Sequence, residues 1–124
     1  MTRLAALLAL SLSACAAAPV SEAAQEAAMR CDVTIKFGSY GMGIDQPLAA
    51  TVADMVKTDP DLARSERKPW GREGEFDQCL TVKKGRDAKA TYERYKALLP
   101  AKNVKAPTSI EGPDGARFET IGPM

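Results

Sequence analysis

The chain contains no histidine. That absence removes the usual general base, the commonest zinc ligand and the side chain that titrates near neutral pH. Ser39 and Ser65 therefore have no imidazole partner to activate them as nucleophiles. A charge excess is missing as well, since 17 Lys and Arg face 16 Asp and Glu. Bulk charge thus offers no argument for nucleic acid or for an anionic membrane face. Long apolar runs are also lacking. Leu4 to Leu12 is uncharged, but a helix of nine residues rises only ~14 Å against a hydrocarbon core of ~30 Å. Opposed carboxylates are not evident either. Glu73, Glu75 and Asp77 alternate along one predicted strand, which supplies no second wall for glycoside hydrolysis. No catalytic residue, metal ligand or cofactor is expected, and the chain is expected to be non-enzymatic.

The first residues carry an address. Arg3 is a positive n-region, and Leu4 to Leu12 is an h-region too short to anchor by itself. The four residues Leu12-Ser13-Ala14-Cys15 resemble the lipobox of bacterial lipoprotein precursors, matching it at every position. That resemblance implies removal of residues 1–14, a diacylglyceryl thioether on Cys15 and an acylated amine. Three acyl chains make an effectively permanent anchor, because two signals already suffice. Ala16, in place of Asp, resembles the sorting pattern for the outer membrane, so the expected location is the bacterial envelope, lipid-anchored and facing the periplasm. The alternative is an ordinary secretory signal cut near Ala16 to Ala18, with Cys15 discarded.

With Cys15 assigned to lipid, two of the three cysteines remain. An even pair in an oxidising compartment reads as one disulfide, Cys31–Cys79, against the alternative of two buried thiols. Two cysteines without histidine make a poor metal site. Loss of Arg3 leaves the mature chain formally neutral, with 16 charges of each sign.

Residues 15–29 are Ala-rich, without a large apolar face, and read as an acylated tether. From Cys31 the texture changes. Cys31, Val33, Ile35 and Phe37 alternate with polar residues, the period of a strand with one wet face. After the Gly38–Gly43 loop, Asp45 is a helix cap and Pro47 falls in the first turn. Leu48, Val52, Met55 and Val56 then repeat at helical spacing. Leu62 to Lys68 is charged and weakly patterned, as an exposed edge strand would be. Pro69 to Gly74 forms a turn, and Phe76, Leu80 and Val82 mark another strand. Asp87 caps a second helix that places Tyr92, Tyr95 and Leu99 on one face, and Pro100 stops it. Val104 to Glu111 reads as a last strand. Gly112-Pro113-Asp114-Gly115 then turns Ala116 to Ile121 back beside it.

These elements predict an α+β two-layer sandwich. The arrangement expected is ferredoxin-like βαββαβ, with two helices on one face of an antiparallel sheet and an added C-terminal strand. A simpler two-layer α/β unit results if Leu62 to Lys68 is not a strand. The division is residues 1–14 signal, 15–29 acylated Cys and tether, 30–111 domain, and 112–124 a turn with an edge strand. One tension stands. Cys31 is in phase with the helix-covered residues, whereas Cys79 is out of phase with Leu80 and Val82. They can bond only across a bulge, or if Cys31 lies just outside its strand.

Two candidate sites follow. The loop Gly38, Ser39, Tyr40, Gly41, Met42 and Gly43 lies before a helix start, where free N–H groups can hold an anion. Its spacing matches no phosphate-loop pattern, and Asp45 opposes an anion. Trp70 with Arg67, Lys68 and Arg72, and Arg64 nearby, forms an aromatic and basic patch suited to a partner, although Glu66, Glu73 and Glu75 offset its charge. In its simplest reading Trp70 caps the core beneath the hairpin. The segments Phe37-Gly38-Ser39-Tyr40, Gly43-Ile44-Asp45 and Trp70 through Cys79 are similar to ones shared by a group of small uncharacterised bacterial proteins, which implies no mechanism. The expectation is a lipid-anchored envelope protein whose small domain binds an envelope protein or a cell-wall partner, with no nucleic acid. The alternative is a small-ligand or anion site in the Gly38–Gly43 loop.

Overall fold

A computed structural model describes residues 30–123. The signal, Cys15 and the tether lie outside the described residues. The elements are β1 (Val33–Phe37), α1 (Gln46–Thr58), β2 (Leu62–Pro69), β3 (Phe76–Val82), α2 (Ala88–Lys96), β4 (Thr108–Glu111) and β5 (Arg117–Glu119). All five strands form one antiparallel sheet in the order β2-β3-β1-β4-β5. The chain is therefore α+β, two helices and an open five-stranded sheet.

Alternation in the strands decides which face is covered. Val33, Ile35 and Phe37 of β1 are buried, and their partners Leu80, Gln78 and Phe76 share that face. Leu48, Ala49 and Val52 of α1 and Tyr92, Tyr95 and Leu99 beside them close one core with Ile110 of β4. Phe37 and Phe76 stack with ring centroids 4.7 Å apart. Gln78 is the polar exception on this face, and its amide donates to Ser65 Oγ on β2. The other face carries Thr34, Lys36, Asp77, Cys79, Ser109, Glu111 and Glu119.

Both helix starts are capped as the sequence predicts. Asp45 Oδ1 accepts the Leu48 N–H at 3.0 Å, and Asp87 Oδ1 accepts from Lys89 and Ala90. The strand boundaries differ from expectation. The last long strand begins at Thr108 instead of Val104, because Asn103 Oδ1 accepts the Lys105 and Ala106 N–H groups and turns the chain there. The terminal strand is only Arg117–Glu119, paired with β4.

The disulfide joins Cys31 and Cys79, with Cα atoms 5.2 Å apart. Cys79 faces the open side opposite Thr34. The phase conflict is resolved because β1 starts at Val33, two residues after Cys31. Val82 N–H donates to the Asp32 carboxylate at 2.8 Å and not to a backbone carbonyl. Asp32 N–H still donates to the Leu80 carbonyl at 2.9 Å, one residue out of the Val33–Leu80 register. The regular ladder is broken there, and Cys31 is free of the strand's alternation.

Candidate functional site

Strand directions place the loops. β1, β2 and β5 run toward one end of the sheet, while β3 and β4 start from it. The loop 38–43, the β2–β3 hairpin, residues 101–107 and residues 120–123 therefore collect at that end. Arg30, where the described chain begins, lies at the other.

The loop and the hairpin are joined directly. Ser39 Oγ donates to the Glu73 carboxylate and accepts the N–H groups of Gly41 and Gly43 at 2.9 and 3.0 Å. Its proton and both lone pairs are in use, which makes Ser39 a strut between two loops and a poor nucleophile. Gly41 and Gly43 have φ of +119° and +89°, values a side chain would strain. Beyond them Asp45 Oδ2 accepts from Asn103 Nδ2 at 2.6 Å, tying the start of α1 to the segment before β4.

A groove of about 650 Å³ lies between this loop and that segment, with Tyr40, Met42, Ile44, Pro47 and Val104 as apolar walls and Asp45, Asn103 and Lys105 as polar ones. Four of the N–H groups that an anion could use are already taken. Gly41 and Gly43 donate to Ser39, Leu48 to the Asp45 side chain and Ala49 to the Asp45 carbonyl.

The second candidate patch is divided between the faces. Arg67 stacks its guanidinium 3.9 Å from the Phe76 ring centre, on the helix-covered side. Lys68 and Trp70 follow the other phase. Trp70 does not cap the core: it is 60% exposed, and its indole N–H donates to Asp77 Oδ1 at 2.9 Å on the open face. A hairpin closed by Trp70 N–H to the Glu75 carbonyl at 3.1 Å turns it outward. Arg72 is exposed at the hairpin tip.

Among the described residues the large exposed apolar side chains are Tyr40, Met42, Trp70, Val104 and Ile121, with Met42 at 92%. All five belong to the loops at the one end. Tyr40, Met42 and Trp70 lie in the candidate sites expected from the sequence, whereas Val104 and Ile121 lie in neither. The available signal was weak: an apolar residue between Asn103 and Lys105, and another before Gly122-Pro123, neither sharing a phase with neighbours.

Among the described residues no group of three or more His, Cys, Asp or Glu could hold a metal ion, and no helix is long and apolar enough to cross a membrane. No family model matches the sequence, and no curated protein or solved structure matches it.

Proposed function

We propose that this chain is an envelope lipoprotein, anchored through an acylated Cys15 in the outer membrane and facing the periplasm, whose domain binds a partner and does not catalyse. The binding surface is the end of the sheet remote from Arg30. One observation carries this reading: every large exposed apolar side chain among the described residues sits at that end. Soluble domains scatter such residues singly, and a gathered set marks an interaction site. The strand order β2-β3-β1-β4, with β5 added outside, supports a ferredoxin-like arrangement with an extra edge strand. That arrangement puts the loop 38–43 and the hairpin side by side.

The test places a photoreactive residue in the full chain at Met42, Val104 or, as a control at the opposite end, Lys84. Crosslinks to one envelope component from positions 42 and 104, and none from 84, are expected. Equal labelling from all three positions defeats the assignment of the surface. A second reading, a small apolar ligand in the groove, is favoured by the groove's volume and its Tyr40, Met42 and Val104 walls. The Asp45 carboxylate at the helix start, and the Gly41 and Gly43 N–H groups already bonded to Ser39, argue against an anion there.

A further inference from the structure

Apart from the rim, we propose that the open face of the sheet carries a site for one ring of a neutral saccharide, between the Trp70 ring and the Ser109 hydroxyl. A cavity of about 160 Å³ opens there, lined by Lys36, Gly38, Trp70, Pro107, Ser109 and Glu119. That is below the ~300 Å³ at which sites for drug-sized ligands begin, so it takes a single ring. Strand register builds it. Ser109 of β4 pairs with Lys36 of β1 on one side and Glu119 of β5 on the other, and all three face away from the helices.

The Ser109 side chain is the observation that asks for a ligand. This residue is only 8% exposed, yet its hydroxyl makes no hydrogen bond among the described residues. A hydroxyl so far withdrawn from water and left without a partner is costly, and it has a proton and two lone pairs to give a ligand. Its neighbours have capacity left as well. Lys36 Nζ carries three protons and meets Glu111 at 3.4 Å, and the Glu119 carboxylate meets Arg117 at 3.3 Å. Trp70 differs, because its indole N–H already donates to Asp77 Oδ1 while the residue stays 60% exposed. What it offers is the ring face, the negative part of the aromatic quadrupole, which attracts the C–H groups of a pyranose.

Charge selects a neutral ligand. On this face Lys36 is matched by Glu111, Arg117 by Glu119, Arg64 by Glu66, and Lys68 lies opposite Asp77. An ion therefore finds no net field here. Sugar hydroxyls gain from such a balanced set, since each can donate to a carboxylate and accept from an ammonium or from Ser109.

Trp70 is the one tryptophan in the chain, so its emission reads this site. The full chain, in a detergent without a sugar headgroup, is titrated with cellobiose and with diacetylchitobiose, and separately with glycine, choline and acetate. The expected result is a saturable change in Trp70 emission with at least one disaccharide and none with the three ionic compounds. Ser109→Ala should weaken that binding roughly five-fold. It should leave the thermal melt unchanged or raised, because the hydroxyl it removes has no partner in the protein. Trp70→Ala should abolish saturation transfer from protein to sugar in NMR. Silence with both disaccharides overturns the proposal. So does a response to choline, acetate or glycine in place of sugar, and so does a sugar response that Ser109→Ala leaves intact. The rim is judged separately, since crosslinks from positions 42 and 104 neither require sugar binding nor follow from it.

Discussion

Tyr95 donates its hydroxyl proton to Asp59 Oδ2 at 2.9 Å, so the second helix holds the C-terminal cap of the first. The Asp59 side chain is fully buried, and Arg94 contacts it at 3.1 Å while also reaching Asp61 at 3.0 Å. Burial by itself would raise the Asp59 pKa. Hydrogen bonds from the Asp61 N–H, Arg94 and Tyr95, with the charge of Arg94, outweigh it and hold the carboxyl below its ordinary value. Burial and the bond to Asp59 push the Tyr95 phenol upward.

The signs of these shifts set a pH window. The depressed Asp59 contributes stability above its unfolded value near pH 4, and that contribution is lost as pH falls through the lower folded value. The raised Tyr95 contributes below about pH 10, and its share is lost as pH rises beyond that. Asp59→Asn should cost roughly 2 kcal/mol near neutrality, less than the ~3–5 of a fully buried pair because Arg94 stays half-exposed beside Asp61. Tyr95→Phe should cost about 1 kcal/mol. Urea unfolding between about pH 7 and about pH 3 checks the first: the gap between wild type and Asp59→Asn must narrow in acid. A gap independent of pH would count against the carboxylate as its source.

Reducing Cys31–Cys79 should remove about 4 kcal/mol by the chain-entropy argument for the 48-residue separation. The comparison is unfolding with and without reductant, alongside Cys31→Ser with Cys79→Ser. Non-reducing mass spectrometry of protein taken from the envelope should find the two residues bonded. Free thiols there would rule out the oxidised pair.

Gly41→Val should lower stability by roughly 1–2 kcal/mol, since φ is +119° and nothing lies within 4 Å of the added carbon. The cost is therefore purely conformational. It should appear as a melting temperature lower by at least about 5 °C. Gly112→Ala tests the opposite case. There the new methyl would strike the buried Tyr92 ring, and a measurable loss is expected without any change in the loop at the binding end.

Ser39→Ala should cost about 1 kcal/mol globally while loosening one place. Amide exchange at Gly41 and Gly43 should speed up together, because one hydroxyl accepts from both. Unaltered exchange at both would show that the loop is held by something other than Ser39.

Cys15→Ser should block removal of residues 1–14 and abolish acylation. Membrane fractionation with intact-mass measurement checks it: a processed form that still pellets with membranes removes the lipobox reading.

How much was legible depends on the range of each signal. Period-two alternation in Val33, Ile35 and Phe37, the Asp45 and Asp87 caps, and the shared face of Tyr92, Tyr95 and Leu99 are short-range facts, and each became the element it predicted. Leu62–Pro69 is a strand at the sheet edge, where charge on both sides is tolerated because only one neighbour pairs with it. Val104 failed as a strand start because the Asn103 side chain competes with the ladder for local N–H groups. The phase of Cys31 was open in the sequence, since Asp32 can end a ladder only if Val82 is beside it.

The one-dimensional chain therefore determined which segments are strands and helices, where the helices begin, and that no imidazole chemistry is available, all from residues within a few positions of one another. Only the tertiary structure decided that the Gly38–Gly43 loop and the Trp70 hairpin form one rim, that Arg67 and Trp70 part to opposite faces, and that Val104 and Ile121 join Tyr40 and Met42. Those outcomes depend on strand order and on partners 34 or more positions apart, such as Ser39 and Glu73 or Asp45 and Asn103. Adjacency of that kind is set by which strands pair, and no local propensity encodes it.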